Sequence, residues 1–226
     1  MTRSATKLVC RGELVLACAT GTLHAQVINL STGLSNGAPL AAGAIDLNWQ
    51  TLHAGEATFF NHVVSDAINS GCGCGIIPNA PTAQWINITG AANSGWPVGL
   101  VNETFRSFSL VGYDLSTVTL TGKWAAMDSN LGLFLNGALI PGTTFLFPGE
   151  TPWTSLHSFS ISGASNFRSG FNEISFHSTT TNGVFDGVLL RDGFVRSTVV
   201  PEPGSFVLLT IGFAGFVLAA RRRRPT

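Results

Sequence analysis

The sequence predicts an all-β protein, a β-sandwich made of antiparallel sheets. Short runs of alternating apolar and polar residues recur through the middle of the chain, as is typical of strands that turn one face to a core. The chain holds 26 glycines among 226 residues, which can provide the turns between such runs. Only 11% of the residues are charged, too few for the polar outer faces of a helical bundle.

Individual strands can be placed from this alternation. Residues 117–124 alternate in a way that puts Trp124 in the core. Residues 131–135 run into Asn136-Gly137, a strong signal for a β-hairpin. Further strands are expected at 46–49, 84–86, 159–161 and 174–176, with two short runs inside 184–195. Because no linker separates these segments, we treat residues 26–199 as one domain.

The N-terminus predicts a secretory signal peptide at residues 1–25. Three basic residues, Arg3, Lys7 and Arg11, precede an apolar stretch at 14–23. The small residue Ala25 then offers a cleavage site before Gln26. Two alternatives remain open, a start without any export role and a lipoprotein modified at Cys18.

The C-terminus predicts a short membrane-spanning helix. Residues 206–220 carry no charge and are followed by four arginines, which by the positive-inside rule keep this end in the cytoplasm. The domain before the helix would then lie outside the cytoplasm. Pro201 and Pro203 favour an extended segment, the shape that a protease needs in its cleft. A stiff linker before an ordinary anchor is the alternative.

These parts stand in the order of a known tail. The motif residues are Pro201, Glu202, Pro203, Arg221, Arg222, Arg223 and Arg224. Together with the apolar span, the tail at 200–226 resembles the PEP-CTERM sorting signal. The resemblance implies an exosortase as partner, transient anchoring in the inner membrane, and release to the cell surface or the extracellular matrix of a biofilm. It also makes exopolysaccharide a candidate partner.

Residues 105–195 resemble the galactose-binding-like jelly rolls that accompany many glycoside hydrolases and bacterial surface proteins. The matching segments are 120–124, Asp128, 134–137 and 170–174. They set turns and strand starts, so the resemblance implies the fold more than any ligand. Such jelly rolls commonly bind Ca²⁺, and Asp128, Asn130 and Asp186 could supply oxygen ligands.

The charge of the domain argues against nucleic acid as a partner. Residues 26–200 hold five basic and ten acidic residues, a difference of five negative charges. An acidic domain repels phosphate backbones.

Cys72 and Cys74 are the two cysteines that follow the signal peptide. A local disulfide between them is one reading in an oxidising compartment, and free or intermolecular thiols are another. A metal site is a third reading, although two cysteines supply half of the usual ligands. We therefore expect no resident metal here.

No catalytic motif is found. The histidines follow no HExxH spacing, and no Gly-x-Ser-x-Gly elbow occurs. Scattered carboxylates leave a glycoside hydrolase as an alternative. We expect a protein that is not an enzyme.

Tryptophans offer the better functional lead, because exposed indole rings stack on sugar faces. Trp96 and Trp153 lie in loop-like sequence and are the candidate ligand-binding residues, with Asp128. The leading hypothesis is an exported surface or matrix protein that binds carbohydrate. The alternatives are a secreted hydrolase on a β-sandwich and a purely structural matrix component.

Overall fold

The computed structural model describes residues 25–53, 57–65, 74–91, 99–179, 181, 186–199 and 212. The signal peptide before Ala25, Cys72, Trp96 and the sorting-motif residues all lie outside this part of the chain. The predicted membrane helix also lies outside it, apart from Gly212. Within the described ranges, no helix is long and apolar enough to span a membrane.

The described chain is all-β, as predicted. Apart from Gly212, its helical residues form two single 3-10 turns, Leu115–Thr117 and Ala164–Asn166. The strands are β1 (Ala25–Asn29), β2 (Leu34–Ser35), β3 (Ala38–Pro39), β4 (Ile45–His53), β5 (Ala57–Val63), β6 (Ile86–Asn87), β7 (Val101–Ser109), β8 (Thr119–Ala126), β9 (Ser129–Leu135), β10 (Ala138–Leu139), β11 (His157–Ser162), β12 (Phe171–Thr179) and β13 (Val188–Thr198).

Eleven strands form one antiparallel sheet that curls on itself. The order is β10-β9-β12-β7-β4-β5-β6-β13-β8-β11, and β1 pairs with β13. β8 and β12 are far apart in this order, yet the rings of Trp124 and Phe176 on them lie 6.4 Å apart. The two ends of the sheet therefore face each other across a core, which gives the expected sandwich-like arrangement.

The core is built from the inward-facing residues of both halves. Trp49, Trp124 and Phe176 are fully buried, and their rings form a continuous aromatic cluster. The prediction that Trp124 lies in the core is confirmed. A second, smaller cluster gathers around Trp85, whose indole N–H donates to the carbonyl of Ile77 at 2.7 Å.

The predicted hairpin at Asn136-Gly137 joins β9 and β10. Both residues have positive φ, 55° and 84°, as a two-residue type I′ turn requires. The Asn136 side chain accepts the backbone N–H of Glu173 at 3.1 Å and donates to Asn172 Oδ1 at 2.9 Å. The motif asparagines therefore fasten the hairpin to β12 and serve the fold.

The sequence predicted two short strands inside 184–195, but the structure has one long strand there. β13 is one long strand, and its register with β8 shifts between Arg191 and Phe194. Asp192 has a φ of 53°, and the Gly193 N–H donates to Ser31 Oγ at 3.2 Å. The Asp-Gly pair therefore forms a bulge inside a strand where the sequence suggested a break.

β13 lies between β8 on one side and β1 on the other. Ala25 pairs with Thr198, at the end of β13, so both ends of the domain leave the sheet at the same place. The chain enters the tail directly after this strand.

The carboxylate of Asp46 is buried and hydrogen-bonded to the backbone. Asp46 is fully buried, and its oxygens accept the backbone N–H groups of Gly33 at 2.7 Å and Asn48 at 2.9 Å. Burial raises the pKa of Asp46, while these hydrogen bonds and the charge of Arg106 oppose the rise.

Candidate functional site

The outer face of one half of the sheet carries the candidate site. This half comprises β10, β9, β12, β7, β4 and β5, in that order. Successive side chains of a strand point to opposite faces. On β12, Ile174 and Phe176 are fully buried in the core, so Glu173, Ser175 and His177 lie on the outer face.

Strand register aligns three phenylalanines on this face. Phe134 of β9 and Phe105 of β7 both pair with Ser175 of β12. Phe105 and Phe60 of β5 both pair with Gln50 of β4. Five adjacent strands therefore present Phe134, Ser175, Phe105, Gln50 and Phe60 in a line, which we call the phenylalanine row.

The spacing within the phenylalanine row is regular. Neighbouring strands lie about 4.8 Å apart, so consecutive phenylalanines are about 10 Å apart along the line. Phe60 is 42% exposed, and Phe105 and Phe134 are half-buried. Ser175, which lies between Phe134 and Phe105 in the row, is 3% exposed. The row therefore alternates apolar rings with hydrogen-bonding side chains.

Polar groups lie beside the row. The imidazole of His177 stacks on the ring of Phe134, with centroids 4.0 Å apart and planes at 24°. His177 Nε2 lies 3.2 Å from Glu103 Oε1 and 3.2 Å from Ser175 Oγ. The ring of Phe134 thus packs against His177, and the side chains of His177 and Glu103 are 27% and 31% exposed.

A second carboxylate adds to the negative charge of this face. Burial and then the nearby charge of Glu103 raise the pKa of Glu173, while His177 and Arg168 oppose the rise. Carboxylates, imidazole and amide groups on a half-buried surface can exchange hydrogen bonds with ligand hydroxyls.

The backbone positions of the two glutamates are well separated. His177 lies opposite Glu103, and Glu173 lies four residues earlier on β12. Four residues of a strand span about 13 Å along the backbone. Glycoside hydrolases hold their two carboxyl groups roughly 5–9.5 Å apart. A secreted hydrolase stays an alternative.

Trp153, a candidate ligand-binding residue, is held by two contacts, and its role in ligand binding stays a prediction. Its ring is half-buried 5.5 Å from that of Phe147, and its Nε1 donates to the carbonyl of Cys74 at 3.2 Å. Cys74 is disulfide-bonded. Because Cys72 lies outside the described residues, the pairing of the two cysteines stays a prediction.

The candidate Ca²⁺ ligands occur at the ends of strands. Asp128 is 5% exposed and accepts the N–H of Thr181 at 2.9 Å, while Asn130 is fully buried. The carbonyl of Asp186 accepts from Asn87 Nδ2 at 3.0 Å. In the described ranges, no three His, Cys, Asp or Glu side chains are grouped to hold a metal ion. Ca²⁺ binding stays a prediction.

Sequence reasoning missed the phenylalanine row. It favoured Trp96, which lies outside the described residues, and Trp153, which is half-buried. One signal was available in the hairpin, where Phe134 falls between two core leucines and must face the other side.

Comparison with known proteins identifies the tail. Residues 199–224 match the family model of the PEP-CTERM protein-sorting motif. The chain therefore carries this motif, which implies an exported protein that passes through the membrane and is processed by an exosortase.

Two further comparisons concern the chain as a whole. No curated protein sequence matches the chain. Among solved structures, isomalto-dextranase from Arthrobacter globiformis T6, complexed with panose, is similar at 12% identity and a TM-score of 0.27. The match covers 77% of this chain and 32% of that one, so the chain spans about a third of its length. A similarity at this level indicates neither fold nor ligand.

Proposed function

We propose that this chain is a non-enzymatic protein of the cell surface or extracellular matrix that binds an extended, neutral polysaccharide along the phenylalanine row. Its tail would anchor it briefly in the inner membrane before an exosortase releases or transfers it. The resemblance to galactose-binding-like jelly rolls supports a binding module as the fold of the exported part.

The alignment of Phe134, Phe105 and Phe60 across five strands is the observation that carries this proposal. A pyranose ring has an apolar C–H face and a rim of hydroxyls. Aromatic rings contact the first, and side chains such as Gln50 and His177 can hydrogen-bond the second. A line of rings about 10 Å apart suits a repeating chain better than a single sugar.

The charge of the face selects the class of polysaccharide. Glu103 and Glu173 both lie on it, and the domain as a whole is acidic. Uronate or sulfate groups would be repelled. A neutral glucan avoids this repulsion, so we expect it to bind better than an anionic polymer such as alginate.

Affinity electrophoresis of the full chain in detergent tests the proposal, with soluble neutral glucans or alginate cast into the gel. We expect a neutral glucan to retard the native chain and the Phe105→Ala variant to lose most of that retardation. Phe171→Ala is the matched control, because Phe171 is 77% exposed on the same strand face and lies outside the row. No retardation by any neutral glucan, or equal retardation of both variants, would overturn the proposal.

Trp153→Ala in the same gels separates this site from the tryptophan hypothesis. We expect its retardation to match that of the native chain wherever circular dichroism shows that the variant is folded. The site would instead lie in the loops if a folded Trp153→Ala variant lost binding while the Phe105→Ala variant kept it. Binding of no glycan at all would favour a purely structural matrix protein.

A further inference from the structure

Among the strands that the structure describes, β11 ends the curled sheet, and one of its edges has no paired strand. Six consecutive residue pairs join it to β8 without a register shift, from His157↔Trp124 to Ser162↔Thr119. In an antiparallel pair, every second residue of an edge strand directs its N–H and C=O groups away from the sheet. β11 therefore presents backbone donors and acceptors along its free side.

This edge lacks the usual protection. Folded proteins blunt edge strands with charges, prolines, bulges or short length. β11 has six residues with none of these features, and no charged residue occurs between Glu150 and Arg168. At the other end of the sheet, β10 has two residues, and the chain after it returns to β9 through the Ile140 N–H and both backbone groups of Phe145.

There is space beside β11 for another strand. A cavity of about 830 Å³ opens along residues 158–162. The cavity is also lined by Leu139, at the end of β10, and by Ile140 and Pro141, which follow it. An incoming strand could therefore lie beside β11.

We propose that β11 pairs antiparallel with β11 of a second copy of this chain, in a two-fold register centred on Ser160. In this register Ser160 of one copy lies opposite Ser160 of the other. Ser158 of one copy then lies opposite Ser162 of the other, and Phe159 lies opposite Ile161. The alternation of β11 is thereby matched on both faces, because Ser158, Ser160 and Ser162 are exposed while Phe159 is 8% exposed. Serine pairs and aromatic–aliphatic pairs across strands are favourable.

The absence of charge in β11 is what makes a second copy a good partner. A two-fold axis through the centre of a strand brings residues of the same type together, so a charged edge would repel its own copy. Residues 151–167 impose no such repulsion. An unrelated partner would have no reason to share this serine alternation.

We expect the dimer to form where many copies of the chain are close together, as on a cell surface. One strand pair buries less than the roughly 1,600 Å² of a standard stable interface, so the dimer should be concentration-dependent. Two joined copies would present two outer faces to one polymer, which raises avidity. The pairing itself does not depend on glycan binding, because β11 and the phenylalanine row are in different halves of the sheet.

Cysteine cross-linking of the full chain in the membranes of expressing cells tests the register. Under mild oxidation, we expect Ser160→Cys to give a disulfide product with twice the mass of the chain. Ser158→Cys is the matched control, because its two copies would lie about 13 Å apart, beyond the roughly 7 Å Cα separation that a disulfide tolerates. The native chain controls for cross-links through its own cysteines.

A second pair of variants separates pairing from folding. Ser160→Lys puts like charges opposite each other at an exposed position, and Ser160→Thr keeps a hydroxyl there. By sedimentation in detergent over a concentration series, we expect Ser160→Lys to stay at the monomer mass and Ser160→Thr to reach twice that mass. Equal cross-linking of Ser160→Cys and Ser158→Cys, a cross-linked product with a different protein, or unchanged association of Ser160→Lys would overturn the proposal.

Discussion

The imidazole of His177 and the ring of Phe134 stack across neighbouring strands, 4.0 Å between centroids. His177→Ala should leave Phe134 without this support and weaken glycan binding. A stacked pair contributes about 0.5–1.5 kcal/mol, which corresponds to a two- to roughly tenfold rise in Kd. His177→Phe keeps a ring and loses the contact with Glu103, so it separates stacking from hydrogen bonding. Titration by tryptophan fluorescence measures both, and an unchanged Kd in His177→Ala would contradict the stacking role.

The buried carboxyl of Asp46 should make stability depend on pH. Its pKa is raised in the folded protein, above the value of about 3.9 in an unfolded chain. Between these two values the folded state binds more protons than the unfolded state. The free energy of unfolding should therefore fall as pH rises through this window, and stay lowered above it.

Urea unfolding at several pH values measures this effect. Asp46→Asn should flatten the fall, although it also replaces one acceptor of a backbone N–H. Glu173→Gln tests the second raised carboxyl, which acts in the same direction. Burial lowers the pKa of His157, so that group contributes stability that is lost as pH falls below about 6.5. This effect has the opposite sign and is common to the native chain and Asp46→Asn, so the difference between the two at each pH isolates Asp46. An unchanged slope in Asp46→Asn would contradict the assignment.

Gly122→Ala should destabilise the sandwich. A Cβ at this position would lie 2.8 Å from Phe159 Cε1 and 3.1 Å from Leu190 Cδ1, and both side chains are buried. Overpacking of this kind costs about 1–3 kcal/mol. Gly170→Ala is the matched control, because nothing lies within 4 Å of its added Cβ. Thermal unfolding of both variants measures the difference, and equal Tm values would refute the close contact.

The sorting motif at 199–224 predicts a shortened mature protein. In a host with an exosortase, we expect the exported chain to lose its C-terminal segment near Pro201, Glu202 and Pro203. Intact mass spectrometry checks this, and a mature protein that still ends in Thr226 would contradict it. A variant with alanine at Pro201, Glu202 and Pro203 should remain unprocessed.

Features that depend on residues close together in sequence could be predicted. Asn136-Gly137 specifies its own turn, because both positions need positive φ. The tail could also be recognised, because its three parts follow one another in sequence. Trp124 could be assigned to the core from alternation within a single strand.

The phenylalanine row could not be predicted, because it depends on register between strands that are distant in sequence. The register of β4 with β5 shifts between Asp46 and Gln50, and that of β12 with β9 shifts after His177. A shift of one residue moves every later side chain to the other face. Alternation alone therefore leaves open whether Phe105 and Phe60 share a line.

β13 has hydrogen-bonded neighbours on both sides just before the tail begins. A pull applied through Val199 would run along the strand axis, at right angles to the hydrogen bonds that hold it. These bonds would resist such tension together, in shear, instead of opening one after another. If the tail anchors the chain as proposed, the protein should withstand drag from flowing liquid without unravelling from the anchored end.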